Sequence, residues 1–482
     1  MSSFFEKFIT LYLGTALKII IAILADRYIA IKLSPELFGN YKYFLTIIAV
    51  ASSIAGFGFN TGIVQELKKV NTCGLKNSIV VLFSFVVTIL ISSIFIAILV
   101  NTNVQTFIGI NRHFEFSVIL LGIVGISLNQ LLVGVLSVYQ NVKVKVLIND
   151  ILQPVCFIFS LLIYFNLERT LLSAIISYLL SLVLANILNI TVVFRKLNLI
   201  PSISHWRKIN LYPYIKYCTP IFMTNVVVVL ALQIDKIVLN MLISEYDLGI
   251  YYSVAAMSAL IGLILSTLIF IYLPVASGAF NKGKFVQGSM ISSFFSKWLM
   301  LFSFIPFWLL FNFPGESIVI FYNEEYLGGK NILPILVLGQ FINLSAGFTG
   351  QNLLALGDSM TQLKIRIFGF LFSLGLTCYL GIIYGECGVA IALLLGLILT
   401  NTLQVYMIKR NFNIFIYTRG NLYSVIFILA NIVLLKIVNL SLIGLSVAIL
   451  YPLNIGIYLV MLFKFGATVH DKKALRIIKQ LV

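Results

Sequence analysis

Residues 25–44 read ADRYIAIKLSPELFGNYKYF, and residues 234–254 repeat the same pattern as IDKIVLNMLISEYDLGIYYSV. Each stretch has an acidic residue followed by a basic one, an apolar run, a serine, a short acidic loop and a glycine before an aromatic-rich segment. The spacing from acid to glycine is thirteen residues in the first copy, from Asp26 to Gly39, and fourteen in the second. The copies lie about 210 residues apart, a distance that holds six predicted helices. An even number of helices places both copies in the same orientation across a membrane.

The composition is that of a membrane protein. Of the 482 residues, 60% are hydrophobic and only 10% are charged, whereas soluble domains carry about 25% charged residues. Apolar runs of about 18 residues or more recur along the chain, and each is long enough to cross a hydrocarbon core about 30 Å thick. The alternating strands that a barrel needs are absent from the sequence. The sequence therefore predicts an all-α polytopic membrane protein.

Hydropathy predicts about fourteen transmembrane helices. With the N-terminus in the cytoplasm, 23 of the 33 Lys and Arg residues fall on the inner side, eight at outer positions and two within spans. This distribution follows the positive-inside rule, and it accounts for the net charge of +17 without a nucleic-acid partner. We therefore expect a multi-pass protein of the cytoplasmic (inner) membrane with both termini in the cytoplasm. The predicted helices are 8–30, 38–59, 78–100, 116–138, 147–165, 170–194, 212–234, 249–273, 289–312, 331–355, 365–384, 388–408, 421–437 and 441–463.

The duplication predicts two six-helix lobes related by an axis along the membrane normal, as in parallel-repeat transporters. The N-lobe spans residues 1–194, and a basic cytoplasmic linker spans 195–216. The C-lobe spans 217–410. Residues 411–482 hold helices 13 and 14 and a basic cytoplasmic tail.

The short loops argue against an enzyme. The longest hold about twenty residues, no G-x-x-x-x-G-K-[ST] motif occurs, and the three histidines lie in separate loops. The sequence therefore predicts no catalytic centre, no cofactor and no ATP-driven pump within one chain. The five scattered cysteines are interpreted as small apolar packing residues rather than disulfides or metal ligands: Cys73, Cys156, Cys218, Cys378 and Cys387.

Two lysines fall inside predicted helices. Lys18 lies near the middle of the first helix, and Lys297 lies about eight residues into the ninth, among several serines. A lysine that faces lipid at such depth costs about 2.5–3.5 kcal/mol. We therefore expect both to face a hydrated cavity and, with few acids nearby, to bind an anionic group such as phosphate. The alternative is a side chain that snorkels to an interface.

Charged residues also mark the outer helix ends. Asp26 and Arg27 lie at the outer end of the first helix, Asp235 and Lys236 at that of the seventh, and Lys42 is a further outer cation. One interpretation is a set of interfacial end caps solvated at headgroup level. The other is a cavity rim, or gate, that closes the two lobes on the outer side.

Two acidic residues, Glu66 and Asp150, lie at the inner membrane edge. They are candidates to neutralise neighbours or to carry a coupling proton, although end caps are commoner there. Polar amides punctuate several helices, where they either bond between helices or line a sugar-accepting cavity: Asn129, Gln130, Asn186, Asn189, Asn225, Gln233, Gln340, Asn343, Gln351 and Asn352.

Several stretches together carry a family resemblance over nearly the whole chain. They are LSPELFGNYKYF followed by GFGFNTGIVQELKK (56–69), then YCTPIFMTNVVVVLALQIDKIVLN and the residues after it (217–278), and FYNEEYLGGKNILPILVLGQ and the residues after it (321–360). In this order and spacing they resemble the polysaccharide-transporter, or O-antigen flippase, branch of the multidrug/oligosaccharidyl-lipid/polysaccharide (MOP) exporter superfamily.

The resemblance implies two six-helix lobes around a V-shaped central cavity, with two helices appended. It implies that an oligosaccharide on a polyprenyl (di)phosphate is moved from the cytoplasmic to the outer leaflet by alternating access. Cavity cations, including ones on the first helix, hold the phosphates in related flippases, and Lys18 best matches that position. The implied partners are the lipid-linked oligosaccharide, the bilayer and the polysaccharide polymerase and chain-length machinery.

Three other functions fit the sequence less well. A MATE-like multidrug or cation antiporter of the same architecture would expose carboxylates in its cavity, whereas the deep charges here are basic. A membrane glycosyltransferase would need a large outer loop, and a scaffold without transport would leave Lys18 and Lys297 without a purpose.

Overall fold

A computed structural model of the chain describes residues 2–69, 74–99, 113–138, 142–197, 211–413 and 456. Throughout these ranges the chain consists of helices with short connections and contains no strand. Helices satisfy every backbone N–H and C=O group within one segment, which a hydrocarbon environment requires. The predicted all-α membrane fold is confirmed.

Most of the described residues belong to long helices joined by tight turns. Up to Leu242 the α-helices are α1 (Ser2–Lys32), α2 (Pro35–Ala55), α3 (Phe59–Lys69), α4 (Gly74–Leu99), α5 (His113–Val138), α6 (Val142–Lys145), α7 (Gln153–Leu167), α8 (Leu171–Leu197) and α9 (Tyr212–Leu242). A π-helical segment, Val146–Leu152, joins α6 to α7. The later helices are α10 (Glu245–Asn281), α11 (Phe285–Asn312), α12 (Pro314–Phe321), α13 (Ile332–Ser345), α14 (Thr349–Ala355) and α15 (Ser359–Phe412), with a 3-10 segment, Glu324–Asn331, before α13.

Each of the first twelve predicted spans overlaps a helix of the structure. The predicted spans 421–437 and 441–463 and the basic tail lie outside the described residues. Within the described ranges, seven helical segments are long and apolar enough to cross a membrane: Pro35–Ala55, Lys143–Leu167, Leu171–Arg195, Tyr212–Leu242, Phe285–Asn312, Glu324–Ala355 and Ser359–Phe412.

The second predicted helix, 38–59, is shorter in the structure than the sequence suggests. It ends at Ala55, and the next residues turn the chain through positive φ angles of 42° at Phe57 and 69° at Gly58. The apolar run continues across this turn, so hydropathy alone merges two elements. The short helix α3 follows and buries residues spaced four apart on one face: Phe59, Ile63 and Leu67.

Glycines with positive φ angles interrupt the helices at two later positions. The predicted span 331–355 is interrupted between α13 and α14, where Gly347 has a φ of 72°. Within α15, Gly385 departs from helical geometry with φ 57° and ψ −138°. That kink lies between the two spans that hydropathy predicts there, so a positive φ accessible to glycine makes the turn.

The chain divides into two compact units. The first comprises residues 1–240 and 244–249, and the second comprises residues 241–243 and 250–482. In the first unit α5 packs against α2, α3, α4 and α8, and in the second α13 packs against α11 and α15. Most of α9 belongs to the first unit, whereas the sequence assigns residues from 217 onward to the C-lobe. The predicted lobe boundaries stay a prediction.

Both copies of the repeated stretch start a helix with a serine cap. The backbone N–H of Leu37 donates to the Ser34 hydroxyl at 3.4 Å, at the start of α2. The backbone N–H of Asp247 donates to the Ser244 hydroxyl at 3.2 Å, at the start of α10. A capping hydroxyl accepts one of the free N–H groups in the first turn of a helix. The duplication is therefore visible as duplicated local geometry.

The two glycines of the repeat, Gly39 and Gly249, allow a backbone-to-backbone contact within the first unit. A Cβ on Gly249 would overlap the carbonyl oxygen of Pro35, and one on Gly39 would lie 2.7 Å from the carbonyl oxygen of Glu245. Beside them, the Asn40 amide donates to the Glu245 carboxylate at 2.7 Å. The beginning of α10 is thereby tied to the beginning of α2.

We predict that Gly249→Ala lowers stability by about 1–3 kcal/mol, because the methyl group has no space against the Pro35 carbonyl. Gly278→Ala in the same helix is the matched control, since no atom lies within 4 Å of its Cβ position. That control should be neutral or stabilising by up to about 1 kcal/mol. Thermal unfolding of the purified proteins in detergent checks both, and equal midpoints would contradict the close contact.

A carboxylate caps the start of α15. The Thr361 backbone N–H donates to Asp358 Oδ1 at 3.1 Å, and the Asn411 amide donates to Oδ2 at 3.1 Å. Partial desolvation raises the pKa of Asp358, but the hydrogen bonds from Thr361 and Asn411 and the charge of Lys364 outweigh it, so the pKa lies below its usual range. The ionised form therefore stabilises this helix start and ties it to the far end of α15.

We predict that Asp358→Ala costs about 1 kcal/mol at neutral pH through loss of the cap. Because folding depresses the pKa, the ionised carboxylate stabilises fully above the unfolded pKa of about 4 and less as pH falls through the folded value. The midpoint difference between wild type and Asp358→Asn should thus shrink as pH is lowered from 6 to 3. A difference that grows on acidification would contradict this assignment.

Candidate functional site

Lys18 lies in the middle of α1, sixteen residues after the first residue of the helix and fourteen before the last. At about 1.5 Å per residue it is about 24 Å from the start of the helix. Its side chain is 45% exposed and its Nζ lies 3.7 Å from Asp150 Oδ1. From the sequence, Lys18 was expected to be a cation with few acidic residues nearby. The structure places the carboxylate of Asp150 beside it.

Asp150 bridges two cations. Its other oxygen, Oδ2, accepts a hydrogen bond from Lys145 Nζ at 2.8 Å. The Asp150 side chain is 4% exposed, whereas that of Lys145 is 26% exposed. Two lysines thus share one buried carboxylate, and the three groups together carry one positive charge. A buried carboxylate needs such compensation, because an unpaired charge in a low-dielectric site is costly.

The π-helical segment explains how Lys145 reaches Asp150. Residues five apart in an α-helix do not face each other, because only residues three or four apart are neighbours on its surface. In this segment the hydrogen bonds span five residues, as shown by the Gln153 N–H donating to the Ile148 carbonyl. Pro154 follows directly, and it lacks the N–H that would continue an α-helical register. The wider turn brings the two side chains together.

A glycine on α1 allows the approach of this segment. Gly14 lies one turn before Lys18, and a Cβ there would overlap Cγ1 of Val146. Val146 begins the π-helical segment, and α1 packs along that segment. Without a side chain at Gly14 the two backbones come close enough for Lys18 to reach Asp150.

Buried amides hold the π-helical segment from its other side. The Asn129 amide donates to Asn149 Oδ1 at 3.1 Å, and the Asn189 amide donates to the same oxygen at 3.0 Å. Asn149 is buried, and its own amide donates to Asn189 Oδ1 at 3.3 Å. Asn129 and Asn189, which the sequence singled out, therefore bond between helices α5, α8 and the segment that carries Asp150.

In the first unit an ion pair joins two residues of the predicted rim. Lys42 Nζ lies 2.5 Å from Asp26 Oδ2, and the same ammonium lies 5.5 Å from the ring centre of Phe38. Arg27 is exposed on α1. The structure thus brings together Asp26 and Lys42 of the predicted rim.

The other predicted rim residues lie on α9. Asp235 is buried, and Lys236 donates to the Gln233 side chain at 2.8 Å within its own helix. Glu66, which the sequence predicts at the inner membrane edge, lies half-buried on α3.

Lys297 lies in the second unit on α11, and the residue is only 5% exposed. Its ammonium is 5.8 Å from the ring centre of Trp298. The neighbouring Ser292, Ser293 and Ser296 are buried too, as the serine-rich sequence suggested. We expected both deep lysines to face a hydrated cavity; the Lys18 side chain is 45% exposed, whereas Lys297 is buried.

A buried polar network in the second unit was not recognised from the sequence as a whole. Tyr272 donates to Asn352, whose amide donates to the Ser292 hydroxyl at 2.8 Å. The Thr349 hydroxyl donates to Gln404 at 2.7 Å. Only Asn352 was a candidate; the tyrosine, serine and glutamine partners come from distant helices and have no local signal.

In the part of the chain that the structure describes, no group of three or more His, Cys, Asp or Glu residues converges. The described cysteines are free thiols. Cys73 lies outside the described residues.

The chain matches one protein family over more than half of its length. Residues 4–280 match the family described as Polysaccharide biosynthesis protein. No curated protein matches the chain.

Several solved membrane-protein structures share the fold. The lipid II flippase MurJ, in an inward closed conformation, has a TM-score of 0.74 at 17% identity, covering 95% of this chain and 98% of that chain. A MATE transporter from Vibrio cholerae has a TM-score of 0.61 at 14% identity, covering 85% and 96%. A MOP superfamily transporter from Pyrococcus furiosus has a TM-score of 0.61 at 15% identity, covering 84% and 95%.

These similar structures are flippases and transporters rather than enzymes, in agreement with the expectation from the short loops. The alignment with MurJ covers 95% of this chain and therefore includes residues of both compact units. The chain therefore belongs to the polysaccharide biosynthesis protein family and has the polytopic helical fold of the MOP superfamily of membrane transporters.

Proposed function

We propose that this protein moves a polyprenyl-(di)phosphate-linked oligosaccharide, the repeat unit of an O-antigen, capsule or exopolysaccharide, from the cytoplasmic to the outer leaflet by alternating access. The family match and the likeness to a lipid II flippase support a lipid-linked substrate. The observation that carries the proposal is Lys18: an exposed cation in the middle of an apolar helix, with a second lysine sharing its counter-ion.

A phosphate group needs such a site in order to cross a membrane. Transfer of an ionised group into hydrocarbon without compensation is prohibitively costly, and the hydroxyl groups of a sugar add to that cost. A hydrated cleft lined by cations lowers the cost at the phosphate, while the prenyl chain stays in lipid. An ammonium acts here as a point charge rather than as a bidentate partner.

The membrane potential supplies a driving force in the required direction. Moving one charge across 100 mV is worth about 2.3 kcal/mol, so two negative charges moved outward from a negative cytoplasm gain about 4–5 kcal/mol. We place the protein in the cytoplasmic membrane with both termini inside, alongside the polymerase and chain-length machinery that would use the exported unit.

The remaining candidate residues fill secondary roles in this proposal. Lys297 is a second phosphate contact, and its burial requires that neighbouring side chains move before it binds. Asp26 and Lys42, with Arg27 and the pair Asp235 and Lys236, form the outer rim. Glu66 and Asp150 remain the candidates for a coupling proton.

A MATE-like multidrug or cation antiporter is the alternative, favoured by the likeness to MATE transporters. A cationic drug would need a free carboxylate in the first unit. Asp150 contacts two lysines instead, so a second cation would meet net positive charge there.

The test is leaflet transfer of a fluorescent prenyl-diphosphate oligosaccharide in liposomes, followed by reagent accessibility with and without an imposed potential. Lys18→Ala should lower the rate on the order of tenfold or more, because one charge-assisted contact is lost. Lys297→Ala should also slow transfer. Lys32→Ala is the matched control, since Lys32 is an exposed lysine in the last turn of the same helix α1.

Correct insertion of each variant is checked by its elution and unfolding midpoint in detergent. Wild-type rates in both Lys18→Ala and Lys297→Ala would rule out the cation site. Efflux of a cationic dye without transfer of the lipid-linked sugar would favour the antiporter.

A further inference from the structure

We propose that Asp150 is a resident counter-ion in an anion-exchange site formed by Lys18 and Lys145, and that a phosphate of the lipid-linked substrate displaces Asp150 from Lys18. This inference rests on the proposed flippase function. It adds Lys145 as a substrate-binding residue and gives Asp150 a role distinct from proton coupling.

The two contacts of Asp150 are unequal, which identifies the one that can exchange. Lys145 Nζ lies 2.8 Å from Oδ2 and forms a hydrogen bond, whereas Lys18 Nζ lies 3.7 Å from Oδ1. The longer contact is an ion pair beyond hydrogen-bond distance. Lys18 can therefore move to another anion while Asp150 keeps its hydrogen bond to Lys145.

Exposure indicates the side from which an anion arrives. The side chains of Lys18 and Lys145 are 45% and 26% exposed, while Asp150 between them is 4% exposed. A ligand thus meets the ammonium groups first. The carboxylate lies behind them and cannot itself reach a soluble partner.

The charge balance suits reversible binding. The empty site carries one positive charge from two lysines and one carboxylate. A diphosphate with two negative charges changes that total to −1, so neither the empty nor the occupied site carries more than one uncompensated charge. Asp150 remains paired with Lys145 throughout, which avoids the large penalty for a buried carboxylate that has lost its partner.

The backbone around Asp150 is held in place, so the exchange needs only side-chain movement. Asn149 is fixed by Asn129 and Asn189, and Gly14 packs directly on Val146 at the start of the same π-helical segment. The lysine side chain is long and has four rotatable bonds, so Lys18 is the mobile member of the site.

The test is the affinity of the full-length protein for a short-chain prenyl diphosphate, measured in phosphatidylcholine nanodiscs so that no anionic headgroup competes. Asp150→Asn should bind the probe on the order of tenfold more tightly, because the competing internal anion is removed. Lys145→Gln should bind it on the order of tenfold more weakly, and Lys145→Arg should retain binding.

Lys143→Gln is the matched control, because Lys143 is an exposed lysine two residues away on the same short helix α6. The unfolding midpoint of each variant shows whether a change in probe binding comes from a loss of folding. If Asp150→Asn does not fold, the comparison of Lys145→Gln with Lys143→Gln still tests whether Lys145 binds the probe. Two results would overturn the exchange. One is unchanged or weaker probe binding by folded Asp150→Asn, and the other is equal probe binding by Lys145→Gln and Lys143→Gln.

Two further arms separate this inference from the function beneath it. In the first arm, inorganic diphosphate competes with the probe. In the second, nanodiscs that contain phosphatidylglycerol weaken probe binding. Either result would show that the site takes phosphate from more than one source and would support the exchange. Transfer by wild type in liposomes without tighter binding by Asp150→Asn would leave the flippase function standing and remove the exchange. Absence of both binding and transfer in wild type would remove both.

Discussion

Hydrocarbon offers no hydrogen-bond partner, so every backbone group that enters it must be satisfied within the chain, and the whole architecture follows from that constraint. The described chain meets it with long helices whose breaks fall at a few specific positions. Glycines with positive φ angles, such as Gly347 and Gly385, make the turns. The π-helical segment, Val146–Leu152, is held by hydrogen bonds from the amides of Asn129 and Asn189 to Asn149.

The same low-dielectric environment governs the charges. A deep cation is tolerated when a counter-charge stays beside it. Lys18 and Lys145 share Asp150, and Lys42 lies against Asp26. Both arrangements join residues that are separated along the helices of the first unit. In the first, two partly exposed lysines share one buried carboxylate, whereas the second joins one lysine to one carboxylate.

Close packing of backbones is the second organising feature of the first unit. Gly39 and Gly249 let the starts of α2 and α10 touch, and Gly14 does the same for α1 and the π-helical segment. Small residues are common where membrane helices approach, because van der Waals contact replaces the hydrophobic effect between segments that are both in lipid. Glycine placement thus controls which charged side chains come within reach of each other.

The sequence by itself determined the membrane class, the all-α fold, the first twelve helices and the duplicated stretch around Asp26 and Asp235. These rest on composition, hydropathy and local capping, which act over one helix or less. It also picked out Lys18, because a charge in a long apolar run stands out without knowledge of its neighbours.

Only the tertiary structure decided what those residues touch. Lys145 and Asp150 are five apart, a spacing that predicts no contact in an α-helix, and the π-helical register that joins them leaves no clear mark in the sequence. The turn at Phe57 and Gly58 is hidden by a continuous apolar run. Lys297 was expected to face a hydrated cavity, and the structure adds that it is only 5% exposed, because burial depends on which helices surround a residue and not on its own segment. Contacts between distant segments depend on packing, and packing is a property of the folded chain.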